Sequence, residues 1–302
     1  MNGAASVARY TLVELSRRRI LLVFFVLGAV GIALIGFGLK IFSSSFVSNV
    51  SFGGPEGTTP DPAKVDRYLE LMFVTNIVGA MGLFALLIAF AIGMTVIYHD
   101  LDSGAAVAIF SKPVSRLAFA VGKLLAAAAS LVAIVGLLGI EARLLMFLFS
   151  SGGELQQTLW GEIVAQVANA LALMLLVMAL STVMNNIVAA VVAFIYHGVA
   201  GAVVGLHQAM VAGFLGDNGV LKVGLDIAYW LVPHDLTSDA ARELTKASIE
   251  LFPGPSDQPQ PDMNQVLSSI PGASGTGDIL WWVFVVLLLA AVVYYTVRRR
   301  QV

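Results

Sequence analysis

The residues best placed to do chemistry form a charged island, residues 99–123, between two long apolar runs. Asp100, Asp102 and Ser103 carry side-chain oxygens that can cap the free N–H groups at the start of a helix. The apolar run 105–110 that follows is about two helical turns long. We therefore expect a short amphipathic helix here, suited to the docking of another protein.

The sequence also indicates which side of this short helix is apolar and where the helix ends. Val107 and Phe110 lie three residues apart and share one apolar side, and Pro113 disfavours helix at the residue before it. The basic residues of the island favour the cytoplasmic face of a membrane: Lys112, Arg116 and Lys123. An ordinary solvated loop that only connects two spans is the alternative, and these residues alone leave both interpretations open.

Catalytic and metal-binding patterns are missing from the sequence. The chain has no cysteine and only four histidines, which excludes disulfides and thiolate metal sites and disfavours a metal cluster. It contains no G-x-x-x-x-G-K-[ST] phosphate loop, no HExxH motif and no Ser/His/Asp arrangement. We expect no catalytic residue, no metal and no ATP hydrolysis by that route.

Four polar residues in the apolar runs have two interpretations each. Asn76 and His197 would either line a path through the membrane or bond to a neighbouring helix. Glu141 and Arg143 would either form a buried proton relay or lie at the outer membrane boundary. A charge in mid-membrane costs about 2.5–3.5 kcal/mol on insertion scales, so we expect the boundary position.

The composition indicates a membrane protein. Of 302 residues, 58% are hydrophobic and 12% are charged, and the charged fraction is about half that of a soluble domain. A soluble protein of this size cannot bury so much apolar surface. We expect an all-α polytopic membrane protein with one transmembrane domain.

The apolar runs predict six spans: residues 20–39, 71–97, 117–140, 162–184, 187–214 and 279–297. Residues 1–19 predict an amphipathic elbow helix on the inner membrane surface. Residues 40–70 and 215–278 predict external regions, the second helical or re-entrant, and residues 98–116 predict a cytoplasmic loop. A signal peptide is the alternative for the first span, but about 20 apolar residues are too many and no cleavage pattern follows.

The charge distribution predicts the orientation. Basic residues cluster on the proposed inner side, whereas nearly all acidic residues fall on the other side. This bias favours cytoplasmic termini. We expect a multi-pass protein of a bacterial cell membrane with both termini in the cytoplasm.

The island also resembles a known family. Its runs D-L-D-S-G-A and I-F-S-K-P-V-S-R, followed by G-K, are similar to the cytoplasmic loop of type-2 ATP-binding-cassette (ABC) permeases. This family includes exporters of drugs, ions and polysaccharides and the permease of nitrous-oxide reductase maturation. Asp100 and Asp102 match its acidic pair and Gly104 its glycine, although Ala105 replaces the usual threonine. W-L-V-P-H-D-L, from Trp230, is similar to its proline-containing segment between spans five and six.

The resemblance implies a coupling helix that docks on an ATPase subunit. The residues that it assigns to coupling are Asp100, Asp102, Ser103, Gly104, Val107, Phe110, Pro113 and Arg116. It also implies a complex of two permeases, identical or homologous, with two ATPases that bind ATP and Mg²⁺. The path would lie at the dimer interface beside spans two and five, which nominates Asn76 and His197. Membrane lipid is the other expected partner, and nucleic acid is not expected.

We therefore expect the permease subunit of an ABC exporter. A maturation or mechanical complex that moves no free solute is an alternative within the family. A secondary transporter is the alternative outside it. That class normally needs intramembrane ionisable groups and often has repeated spans, and the sequence has few of the former and no evident repeat.

Overall fold

The computed structural model describes residues 2–49, 61–98, 115–149, 156–213, 219–252, 263–270 and 272–299. Regular secondary structure in these ranges is α-helical throughout. The helices are α1 (Asn2–Ser16), α2 (Arg19–Asn49), α3 (Pro62–Thr95), α4 (Arg116–Phe149), α5 (Gln156–Ser181), α6 (Asn186–Val211), α7 (Gly219–Leu231), α8 (Ala240–Leu251), α9 (Met263–Ser268) and α10 (Thr276–Arg299).

Six of the described helices are long and apolar enough to cross a membrane: α2, α3, α4, α5, α6 and α10. They confirm the predicted all-α class and the number of membrane spans. Several helices continue beyond the predicted span limits. A helix ends where its backbone hydrogen bonds end, and this need not be at the membrane boundary. The first turn of α3 shows this, since Asp61 accepts a hydrogen bond from the Ala63 N–H at 3.0 Å and Pro62 fits the first helical position.

Helix α3 is at the centre of the bundle and packs against α2, α4, α5 and α8. Leu71, Ile77, Met81, Ile88 and Ile92 are buried along its length. Because lipid tails are as apolar as these side chains, close packing rather than water exclusion holds such helices together. Tight packing along α3 therefore makes it the element around which the other spans are arranged.

Close approach of α3 and α5 depends on a small residue. A Cβ atom at Gly93 would lie 2.8 Å from the Cβ of Val177 and 2.9 Å from the carbonyl oxygen of Met174. Any larger side chain at this position would push the two helices apart.

The chain between α6 and α10 folds into shorter elements. Helix α7 has 13 residues, too few to cross a membrane, and the segment 232–239 then leads to α8. Just before this helix, Ser238 Oγ accepts the N–H of Ala240 at 3.3 Å. This part of the chain packs back against the spans and positions the cavities described below.

Candidate functional site

Most of the predicted coupling residues lie outside the described residues: Asp100, Asp102, Ser103, Gly104, Val107, Phe110 and Pro113. Arg116 is described and begins α4. Its Nη1 donates a hydrogen bond to the carbonyl oxygen of Arg298 at 2.7 Å, which ties the start of α4 to the end of α10. The roles assigned to these residues stay predictions.

The described chain on either side of residues 99–114 is firmly packed. Before them, Val96 is 2% exposed and Ile97 is fully buried. After them, Phe119 and Lys123 are fully buried in the first two turns of α4. Both ends of the segment that carries the family resemblance are thus fixed in the bundle.

Lys123 is a fully buried cation near the start of α4. Its Nζ lies 3.5 Å from Oε2 of Glu14, on α1, and 5.9 Å from the ring centroids of Tyr10 and Phe119. Glu14 also pairs with Arg18, four residues along the chain. Because a buried charge is costly without a partner, the Glu14 carboxylate offsets part of the cost of burying Lys123.

The two cations also determine the charge state of Glu14. Partial burial alone would raise the pKa of this carboxyl, but hydrogen bonding and charge from Arg18 and Lys123 outweigh it and lower the pKa. Glu14 therefore stays ionised at neutral pH. Its stabilising contribution is complete above the ordinary carboxylate pKa and is lost as the pH falls through the lowered value.

A steric fit accompanies the ion pair. A Cβ atom at Gly122 would lie 2.7 Å from the carbonyl oxygen of Ala4 and 2.8 Å from the Cβ of Val7. Only glycine lets α1 approach α4 this closely. We call Glu14, Arg18, Gly122 and Lys123 the elbow joint, since they hold the N-terminal helix against the helix that follows residues 99–114.

Polar residues meet again in a second place, where α5, α6 and the segment 232–239 enclose two adjoining cavities. Asn169, His197 and Asp235 line both cavities. We call the two cavities together, with these three residues, the histidine cavity. The larger cavity has a volume of about 270 Å³ and also touches Gly82 and Gln166. The smaller, of about 40 Å³, has an aromatic wall of Tyr196, Trp281 and Trp282.

The pair at the centre of the histidine cavity is loosely joined. Nδ1 of His197 lies 3.9 Å from Oδ2 of Asp235, an ion-pair separation too long for a hydrogen bond. Neither side chain has a hydrogen-bond partner within the described ranges. Both groups therefore retain the capacity to bind water or a ligand that enters the cavities.

The surroundings raise the pKa of Asp235. Neighbouring apolar and aromatic side chains desolvate the carboxyl and favour its neutral form, although the Asp235 side chain is 51% exposed, and the nearby imidazoles of His197 and His234 only partly oppose this. The protonated form of Asp235 is therefore favoured relative to that of a free aspartate. A cavity with such a group can bind a cation, a hydrogen-bond donor or a proton.

Asn169 fixes the backbone beside this acid. Its Nδ2 donates to the carbonyl oxygen of Leu236 at 2.9 Å, and its Oδ1 accepts the N–H of Leu236 at 2.8 Å. Asn76, by contrast, donates to the carbonyl oxygen of Met72 in its own helix at 2.8 Å and does not line either cavity. Of the two nominated path residues, the structure brings only His197 to the cavities.

Two further histidines in the described chain also face aspartates. His207 bonds to Asp226 at 2.9 Å and His234 lies 3.3 Å from Asp278. The ring of Tyr229 is stacked between the two imidazoles, at 4.4 and 4.1 Å between centroids. Sequence reasoning missed these pairs, because their members lie 19 and 44 residues apart on elements whose contact no local spacing indicates.

Arg143 has a partner at the far end of α4. Its guanidinium lies 5.1 Å from the ring centroid of Trp160, in α5. A cation over an indole face is attracted by the ring quadrupole. The contact joins α4 to α5, and the position of Glu141 and Arg143 at the membrane boundary stays a prediction.

No protein-family model matches the chain, and no curated protein matches it.

Proposed function

We propose that the chain is the permease subunit of an ABC exporter. Residues 99–114 would dock on a separate ATPase subunit that binds ATP and Mg²⁺, and closure of the ATPases would move the spans. The type-2 permease resemblance of this segment and the six apolar helices both support the proposal. The chain itself would perform no catalysis.

The observation that carries the proposal is the firm anchoring of the chain around residues 99–114. Ile97 and Phe119 are fully buried, and Lys123 joins this part of α4 to α1 through Glu14. Arg116 adds a bond to the end of α10. A push on the docking segment would therefore move α1, α3, α4 and α10 together instead of being lost in a flexible connection.

The histidine cavity is the proposed part of the translocation path. It contains ionisable groups beside an aromatic and apolar wall, a combination typical of ligand sites. In the proposed orientation, with cytoplasmic termini, residues 215–278 form an extracytoplasmic, partly re-entrant region. Movement of segment 232–239 would then open or close the cavities toward the outside.

A second copy of the permease, or a homologue, would complete the path. Helix α6 buries only Ala189, Ala193 and Ala200 within the chain, and a Cβ atom at Gly198 or Gly201 would meet no atom within 4 Å. Small residues on an open face let two helices approach closely in lipid. This face of α6 is the proposed dimer contact, on the same span that carries His197.

Co-purification tests the proposal. The complex is isolated in mild detergent and analysed by native mass spectrometry for the parent, Phe110→Asp and the control Ser111→Asp. We expect a P-loop ATPase with the parent and the control. Since burial of a phenylalanine side chain contributes about 1.5–3 kcal/mol, Phe110→Asp should weaken association about ten- to hundredfold. Absence of an ATPase from the parent, or equal retention in Phe110→Asp, would contradict the proposal.

The His197–Asp235 pair favours a second candidate, a proton-coupled secondary transporter, because that class needs ionisable groups at its binding site. In this case, transport would persist in vesicles without ATP, follow an imposed pH gradient and disappear in Asp235→Asn. An ATPase complex that moves no solute would instead indicate the maturation or mechanical alternative.

A further inference from the structure

An open groove lies where the N-terminal helix meets the bundle, away from the histidine cavity. Its volume is about 420 Å³, within the range of small-ligand sites. One wall is α1, one is the start of α2 and one is the middle of α4. The lining is almost entirely apolar: Leu12, Val13, Leu15, Leu21, Ala129, Ala133 and Ile134, with Ser16 and Ser130.

The chain that joins two of these walls is strongly basic. Residues 17–19 are all arginine and connect Ser16 to the start of α2. Arg18 is paired with Glu14. Arg17 and Arg19 are exposed, and neither side chain has a partner among the described residues.

Among the residues that the structure describes, no acidic side chain pairs with Arg17 or Arg19. Glu14 is the one acidic residue between positions 1 and 55 of the sequence, and its carboxylate is shared by Arg18 and Lys123. The groove is therefore apolar along its length, and its positively charged end is given by Arg17 and Arg19, which lie in the chain between the lining residues Ser16 and Leu21. Because α2 is apolar directly after Arg19, the charged end also marks a membrane boundary.

We propose that this groove is a specific binding site for an anionic phospholipid. An acyl chain lies against α1 and α4, and the phosphate headgroup is bound by Arg17 and Arg19. Arginine suits this role, since its planar guanidinium binds phosphate oxygens in pairs. The lipid fills the wedge between α1 and α4, so it supports the elbow joint from the membrane side. The inference is independent of the transported substrate and of any ATPase.

Native mass spectrometry of the purified chain tests the site, with phosphatidylglycerol and phosphatidylcholine of equal chain length as probes. We expect the parent to retain phosphatidylglycerol preferentially. Each arginine near an anionic headgroup contributes about fivefold in affinity, so Arg17→Gln with Arg19→Gln should lower it about thirtyfold. The control Arg298→Gln removes an exposed basic residue from α10 and should change nothing. Equal binding of the two lipids by the parent would overturn the proposal.

A variant that fills the groove tests the lipid site without changing the arginines, whose loss could disturb membrane insertion. Ala133→Phe places a ring in the groove from an exposed position of α4, whereas Val132→Phe adds the same ring at an exposed position outside it. We expect loss of phosphatidylglycerol only in Ala133→Phe. Equal retention in the two variants would overturn the proposed site.

A soluble competitor distinguishes a lipid site from a simple phosphate site. Glycerol 3-phosphate carries the anionic group without acyl chains, so we expect it not to displace the bound lipid. Displacement at concentrations comparable to those of the lipid would show that the arginines bind free phosphate and that the groove plays no part.

Discussion

The elbow joint and the histidine cavity both bring charged side chains together within the bundle, but in opposite ways. At the elbow joint, Lys123 is fully buried and a Cβ atom at Gly122 has no room. At the histidine cavity, Nδ1 of His197 and Oδ2 of Asp235 are 3.9 Å apart, and two cavities adjoin the pair. The side chains of the elbow joint have no room to rearrange, whereas His197 and Asp235 have space beside them in which to form other contacts.

This difference assigns separate tasks to the two regions. A tightly packed contact transmits movement, because a well-packed interior deforms little. A loosely paired acid in a cavity can bind a ligand or a proton and respond to its charge. The elbow joint is therefore a rigid connection in our account, and the histidine cavity is the adaptable site that the connection moves.

The largest expected effect comes from removing Glu14. Glu14→Ala removes the carboxylate that lies 3.5 Å from the buried Lys123 ammonium, and breaking a buried pair costs about 3–5 kcal/mol. We expect about 3 kcal/mol, because Glu14 is 22% exposed. Thermal unfolding in detergent measures the loss. The double variant Glu14→Leu, Lys123→Met removes both charges and should recover most of the stability; no recovery would mean that the pair is not what holds α1.

Two glycines of α4 test the steric part of the joint. Gly122→Ala places a methyl group against α1 and should destabilise the protein by about 1–3 kcal/mol through overpacking. Gly136→Ala, on the same helix, meets no atom within 4 Å and should be neutral or slightly stabilising. Cross-linking between cysteines in α1 and α4, combined with unfolding curves, separates displacement from general loss of stability. Equal effects of the two changes would contradict a tight joint.

Two asparagines provide the matching test at the histidine cavity. Asn169→Ala removes both hydrogen bonds to Leu236 and leaves its backbone groups unpaired, at a cost of about 1–3 kcal/mol. Asn76→Ala removes one bond within its own helix and should cost less than about 1 kcal/mol. Hydrogen exchange at residues 232–239 is expected to quicken only in Asn169→Ala. Faster exchange in both variants would show that the segment depends on general stability.

The smallest expected effect is a pH dependence at Asp235. Its raised pKa means that the folded protein holds this proton more tightly than the unfolded chain. Stability therefore falls as the pH rises from the ordinary carboxylate pKa to the raised value. Asp235→Asn should remove that part of the pH profile and stabilise segment 232–239 at neutral pH. An unchanged profile in Asp235→Asn would show that this acid is well solvated.

Hydropathy and local signals were sufficient to predict the all-α class and the six apolar helices long enough to cross a membrane. These depend on residues close in sequence, and an apolar run of sufficient length has few alternatives to a spanning helix. A helix in the first 19 residues was also predicted, and α1 (Asn2–Ser16) is that helix, but its contact with α4 was not predicted. Glu14 and Lys123 are 109 residues apart, and nothing in either local pattern indicates that they pair.

The histidine cavity shows the same limit more strongly. His197 was a candidate because an ionisable residue stood out in an apolar run, whereas Asp235 lay in a polar segment where an acid is unremarkable. Only the packing of segment 232–239 against α5 and α6 brings the two together. Asn76 was equally conspicuous in sequence, yet its side chain bonds to its own helix, because the helix geometry offers a nearby carbonyl.

Nucleotide-dependent access to the histidine cavity tests the central claim, that docking at residues 99–114 moves this site. Ala172 lines the smaller cavity, and the chain has no cysteine, so Ala172→Cys gives one thiol there. The variant is assembled with the ATPase, and the rate at which an impermeant reagent labels this cysteine from the outer face is measured. The measurement is made with and without a hydrolysis-resistant ATP analogue and Mg²⁺. We predict faster labelling with the analogue bound. Equal rates in the two states would contradict the account.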